Sequence, residues 1–181
     1  RLLQLVETVG AGDAGCIVSL VRLGTFSSSE SNIENDIVNA NKHPVWSSSN
    51  DDFSGSLADG MVEATIQKTD NLKDKEYLIY LRLYGDAMSK KTQLGILTNI
   101  SCTVVCVCNA QCNIDINILL NEIHPKLHLV LVCLGKGHIS DQSLNQNMTV
   151  IHEWNHGVQT PYADLMKEVR KRIYSLCRQN L

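Results

Sequence analysis

Apolar and polar positions alternate along this chain with periods that change from block to block, and the periods predict the order of its elements. The apolar run Leu2-Leu3-Gln4-Leu5-Val6 predicts a strand over Leu2–Val9, a glycine-rich turn, and a first helix over Ala14–Leu23. Residues 25–59 are rich in Ser, Asn and Asp with few apolar anchors, the composition of a long polar loop or insertion. Val62, Ala64 and Ile66 then alternate with Glu63, Thr65 and Gln67, as in a strand with one wet face. That segment, Met61–Lys68, and the apolar Glu76–Gly85 flank the turn-like "TDNLKD" and predict an antiparallel hairpin.

Beyond the hairpin the rhythm becomes strand, helix, strand. Cys102–Ala110 and Leu127–Gly135 are short continuous apolar runs, the mark of strands buried on both faces, and Met148–Trp154 predicts a third. Asn113–His124 predicts a helix closed by Pro125. The last helix is expected to take Thr160 as its N-cap and Pro161 as its first residue. Its apolar stripe is Tyr162, Leu165, Met166, Val169, Ile173 and Leu176, the spacing of a helix packed on a sheet. Successive right-handed crossovers then give one three-layer α/β domain over residues 1–181, with a mixed, mostly parallel sheet and one antiparallel hairpin.

The turn "VGAGDAG" carries the chemistry to be weighed. As GxGxxG (Gly10, Gly12, Gly15) it fits a dinucleotide-binding turn, which needs a second strand ending in an acid about 20 residues on. Glu34 and Asp36 stand at that distance, but "TFSSSESNI" before them has no apolar run to form the strand. The same turn resembles the anion-hole motif of ribokinase-like sugar kinases, with Asp13 as the base, although that motif lies late in those chains. As GxxxxGK[ST] it becomes a phosphate loop in which Cys16 replaces the lysine and Ile17 the metal-binding hydroxyl.

The order strand, phosphate loop, helix, polar loop, antiparallel hairpin, then three strands and a closing helix resembles a Ras-like small GTPase over nearly the whole chain. That resemblance implies a Ras-like phosphate-loop fold. It also implies an Asp-x-x-Gly after the hairpin for metal and γ-phosphate, and an Asn-Lys-x-Asp after the fifth strand for the guanine. This chain has "LYGDAMS", with Gly85 before Asp86 and Ser89 where the glycine belongs, and "CLGKGH" (Cys133–His138) in place of the base reader. "EWNHG" (Glu153–Gly157) replaces the late Ser-Ala-Lys turn. Four motifs lost together give the expectation of a pseudoGTPase. No catalytic residue, no cofactor and no nucleotide are then expected, and Gly10, Gly12, Gly15, Cys16 and Ile17 are a vestigial phosphate loop. A role as a protein-interaction scaffold follows, with the hairpin and residues 25–60 and 86–98 as contact surfaces. The alternatives are a nucleotide-binding sensor without hydrolysis, and an enzyme fragment using the glycine turn.

Other candidates have plainer readings. Cys102, Cys106 and Cys108 lie along one strand and, with Cys112, contain no CxxC pair, so no metal site is expected. His152 and Glu153 point to opposite faces of a strand and His156 lies in the loop beyond. Asp13 suits a helix N-terminus, and Lys136 and His138 suit a solvated loop. Composition changes this picture little: 44% hydrophobic, 19% charged, net charge −3. No basic surplus exists for nucleic acid, and the C-terminal Lys167, Arg170, Lys171, Arg172 and Arg178 read as a solvated helix face. No apolar stretch reaches the roughly 20 residues that span a bilayer. Seven cysteines, an odd number mostly in apolar runs, suit a reducing compartment such as the cytoplasm.

Overall fold

A computed structural model describes residues 16–24, 33–38, 43–44, 59–68, 77–109, 113–136 and 147–179. Nine strands are described: β1 (Cys16–Leu23), β2 (His43–Pro44), β3 (Val62–Lys68), β4 (Tyr77–Asp86), β5 (Thr103–Asn109), β6 (His128–Leu134), β7 (Met148–His152), β8 (Trp154–Asn155) and β9 (Val158–Gln159). The helices are α1 (Ile33–Val38), α2 (Lys91–Ile100), α3 (Asn113–Glu122) and α4 (Tyr162–Gln179), with a 3-10 turn at Ala87–Ser89.

Seven strands form one sheet in the order β2-β3-β4-β1-β5-β6-β7. β1 runs parallel to β4 on one side and β5 on the other, and β5, β6 and β7 continue in parallel. β3 pairs antiparallel with β4, and the two-residue β2 pairs antiparallel with β3. Without that short edge strand, this is the strand order of a Ras-like fold, as the resemblance implied.

Each strand sends alternate residues to opposite faces, so the sheet divides the core in two. On one face Val18, Leu20, Leu78, Tyr80, Val105, Val107, Val130 and Val132 pack under α1 and α4. On the other, Val21, Leu23, Leu81, Cys106, Cys108, Leu129, Leu131 and Cys133 pack under α2 and α3. The predicted stripe of α4 buries Leu165, Met166, Val169, Ile173 and Leu176, while Tyr162 stays half exposed. Each such aliphatic side chain contributes about 1.5–3 kcal/mol by leaving water.

The hairpin, β5, β6, β7, α3 and α4 lie where the pattern put them. Three expectations need correction. Cys16–Leu23 is a strand, not part of a helix over Ala14–Leu23. Residues 33–38, expected inside a polar loop, form α1, with Ile33, Ile37 and Val38 buried against the sheet. The N–H of Leu165 bonds the carbonyl of Pro161, so the first helical bond of α4 starts at Pro161 and not Thr160. The strand expected at Leu2–Val9 lies outside the described residues.

Candidate functional site

Open α/β sheets bind ligands beyond the carboxyl ends of their strands. Here that edge is formed by Leu23-Gly24, Asp86, Asn109, Leu134-Gly135 and His152-Glu153. Cys16 and Ile17 are not part of it. They open β1 at the opposite end, where Cys16 is fully buried with its thiol 3.6 Å from the Cys177 carbonyl of α4. A phosphate-loop lysine and hydroxyl must follow the strand and open the helix; Cys16 and Ile17 begin the strand instead. Gly10, Gly12, Asp13 and Gly15 lie outside the described residues.

The strand-to-helix crossing instead leaves β1 at Leu23, turns at Gly24 in the left-handed region (φ 81) and reaches α1 at Ile33. The sequence from Gly24 reads GTFSSSES. Set against GxxxxGK[ST], Gly24 and Ser31 match, Ser29 stands at the second glycine and Glu30 stands at the lysine. Residues 25–32 lie outside the described residues, so this correspondence rests on sequence spacing from the strand end. The available signal was the run Cys16–Leu23 stopping at a glycine.

Asp86 ends β4 beside that crossing. Its Oδ1 accepts the N–H of Gly24 at 3.1 Å and the N–H of Met88 at 3.3 Å, capping the 3-10 turn. The carboxylate standing where the family's metal-binding aspartate would follow the hairpin thus bonds the protein's own backbone. Gly85 before it has φ 96, and a Cβ there would fall 1.7 Å from Asp59 Oδ1. Asp59 in turn pairs with Lys90 at 2.7 Å.

A second carboxylate lies across the edge. Glu153 Oε2 accepts the N–H of Gly135 at 2.7 Å, and its Oε1 accepts Gln159 Nε2 at 2.9 Å. Lys136 places its ammonium 4.6 Å from the centroid of the Trp154 ring. This is where a base reader would stand, and Gly135-Lys136 meets Glu153-Trp154 there. His156 (φ 50) and Gly157 (φ 80) make the tight turn between β8 and β9, a hairpin that the sequence reading missed. His138 and Cys112 lie outside the described residues.

Glu34 is the third. Weighed in the sequence as a ribose-binding acid but lacking the strand that role needs, it lies on α1, buried, and pairs with Arg22 of β1. Arg82 of β4 approaches the same carboxylate at 3.8 Å and donates to Asn35 Oδ1 at 2.7 Å. Arg82 also stacks 4.4 Å from the centroid of Tyr84, whose hydroxyl donates to Glu63 at 2.8 Å. Burial, then that hydrogen bond, push the Tyr84 hydroxyl up to about 12. Asp36, the other acid weighed for ribose, accepts a hydrogen bond from Tyr162 of α4. Burial and that bond hold the Tyr162 proton above the usual range.

Among the described residues no group of three or more His, Cys, Asp or Glu is arranged to hold a metal ion. Cys106 and Cys108 are buried in the core under α2 and α3. No helix of the described residues is long and apolar enough to cross a membrane.

A search of curated proteins returns no match. A family model does match, over residues 13–180, and it spans every described element from β1 to α4. With its GTPase-like strand order, this chain belongs to the family of the up-regulator of cell proliferation-like domain, a GTPase-related family.

Proposed function

We propose that this domain is a pseudoGTPase: a Ras-like fold that does not turn over nucleotide and serves as a protein-interaction module within a larger assembly. The bond from Asp86 to the Gly24 N–H carries the reading. A phosphate loop works by presenting free backbone N–H groups to an anion. Here a carboxylate of the protein takes the donor at the strand end. Glu153 does the same at Gly135, and in the sequence Glu30 occupies the motif position of the lysine that would neutralise phosphate. With no γ-phosphate and metal to order and release the loops, the domain holds one conformation. Its contact surfaces are the β3–β4 hairpin and the segment from Asp86 through α2, which exposes Ile96 and Ile100.

The test is calorimetric titration of GTP, GDP and ATP, with and without Mg²⁺, into nucleotide-stripped protein. No heat and no thermal shift is the expected result. Micromolar or tighter binding of a guanine nucleotide would overturn the reading and favour a nucleotide sensor.

A further inference from the structure

Cys108 of β5 and Cys133 of β6 are register partners on adjacent parallel strands, and their sulfurs lie 3.7 Å apart. We propose that this pair is a redox-sensitive latch, which a two-electron oxidant such as hydrogen peroxide closes into a disulfide.

Geometry favours this pair over the other thiols. Neighbouring strands stand about 4.7–4.9 Å apart, inside the roughly 4.4–6.8 Å Cα separation that a disulfide accepts. Both sulfurs face the α2/α3 side, so closing from 3.7 Å to about 2.05 Å is a matter of side-chain rotation. Cys106, two residues back on the same face, is opposite Leu131 and has no cysteine in register. Both thiols are reduced in this structure and are almost fully buried, at 0% and 1% exposure. Each, however, is the penultimate residue of its strand. Opening the last residues of β5 and β6 therefore reaches them without unfolding the domain, and strand ends open at far lower free energy than strand centres.

The chemistry balances with one peroxide. The first thiolate attacks peroxide, breaking the O–O bond and giving a sulfenic acid and water. The second thiol displaces the sulfenic oxygen as water, forming the S–S bond. Two thiol protons and two electrons leave the protein, and two waters form. The latch ties β5 to β6 one residue short of Asn109 and two residues short of Gly135, the N–H that Glu153 holds. Closure therefore stiffens that part of the edge. Closure of the latch does not depend on whether nucleotide binds.

The experiment treats the folded protein with hydrogen peroxide, blocks remaining thiols with N-ethylmaleimide in denaturant, and maps peptides by mass spectrometry. The expected result is a Cys108–Cys133 cross-link with a loss of about 2 Da, reversed by dithiothreitol. Cys108→Ala and Cys133→Ala each abolish it, whereas Cys106→Ala leaves it. Amide exchange at Gly135 and Lys136 slows in the oxidised form. Oxidation of the half-buried Cys102 while Cys108 and Cys133 stay reduced would refute the latch. So would a cross-link through Cys106, or unchanged exchange at Gly135 in fully cross-linked protein.

Discussion

Replacing Glu34 by alanine tests the electrostatics of the edge most directly. Glu34 is 1% exposed and faces Arg22 and Arg82, whose side chains are 16% and 10% exposed. Removing the carboxylate takes away the anion that two largely buried guanidinium groups share. Breaking a buried pair in this way costs about 3–5 kcal/mol. Both arginines keep some hydration, which puts the expected loss near the lower bound, about 3 kcal/mol. For a domain of this size each kcal/mol moves the midpoint by about 2–4 °C, so Tm should fall by about 6–12 °C. Urea unfolding at two salt concentrations is the assay. A buried pair is only weakly screened, so the loss should be nearly the same at low and high salt. Replacing all three side chains together (Arg22→Met, Glu34→Leu, Arg82→Met) should recover most of the stability, because the uncompensated charge is then gone. A loss below about 1 kcal/mol for Glu34→Ala would mean that the pair behaves like a solvated surface bridge, and the reasoning fails.

Three further outcomes follow from the same region. Gly85→Ala should destabilise by about 2 kcal/mol or more, measured by chemical unfolding, from its positive φ and the contact with Asp59. Adding Asp59→Ala should relieve only the contact, leaving a loss of about 1–2 kcal/mol from the backbone. The Tyr84 hydroxyl is raised to about 12 from an unfolded value near 10, so the stability it contributes is complete below pH 10 and lost as pH rises from 10 to 12. Tyr84→Phe should therefore flatten part of the alkaline fall in stability, followed by circular dichroism, and an unchanged slope would contradict the assignment. Ser29→Gly with Glu30→Lys restores the phosphate-loop residue types at the β1–α1 crossing. It should produce a thermal shift with pyrophosphate that the unaltered protein lacks. No shift would mean that Asp86 alone keeps the site closed.

Where the sequence reads well, one period dominates. Val62, Ala64 and Ile66 alternate cleanly, and the α4 stripe repeats at helical spacing through Leu176; both elements lie where the pattern put them. CIVSLVRL is ambiguous in the sequence because eight apolar-rich residues have no period that separates a strand from a buried helix. The glycine turn before it favours a helix, and the structure has a strand. Length and the β-branched Ile17, Val18 and Val21 favoured a strand, and a strand there moves the phosphate-loop position to Gly24. α1 was hidden because its six residues carry Glu34, Asn35 and Asp36 among only three apolar anchors. Its burial depends on Arg22 and Arg82, partners that no local pattern announces. The bonds from Asp86 to Gly24 and Glu153 to Gly135 are equally silent in sequence, because they join residues brought together only by strand order.

The central place of β1 has a consequence for how the chain comes off the ribosome. Among the described strands it comes first in its sheet, yet its two neighbours are β4 and β5. At a synthesis rate of about 5–20 residues per second, β1 waits several seconds for its first partner and longer for its second. During that interval an apolar segment with unpaired backbone on both sides is exposed to other nascent chains, so productive folding of this domain falls to whatever shields Cys16–Leu23 until β5 arrives.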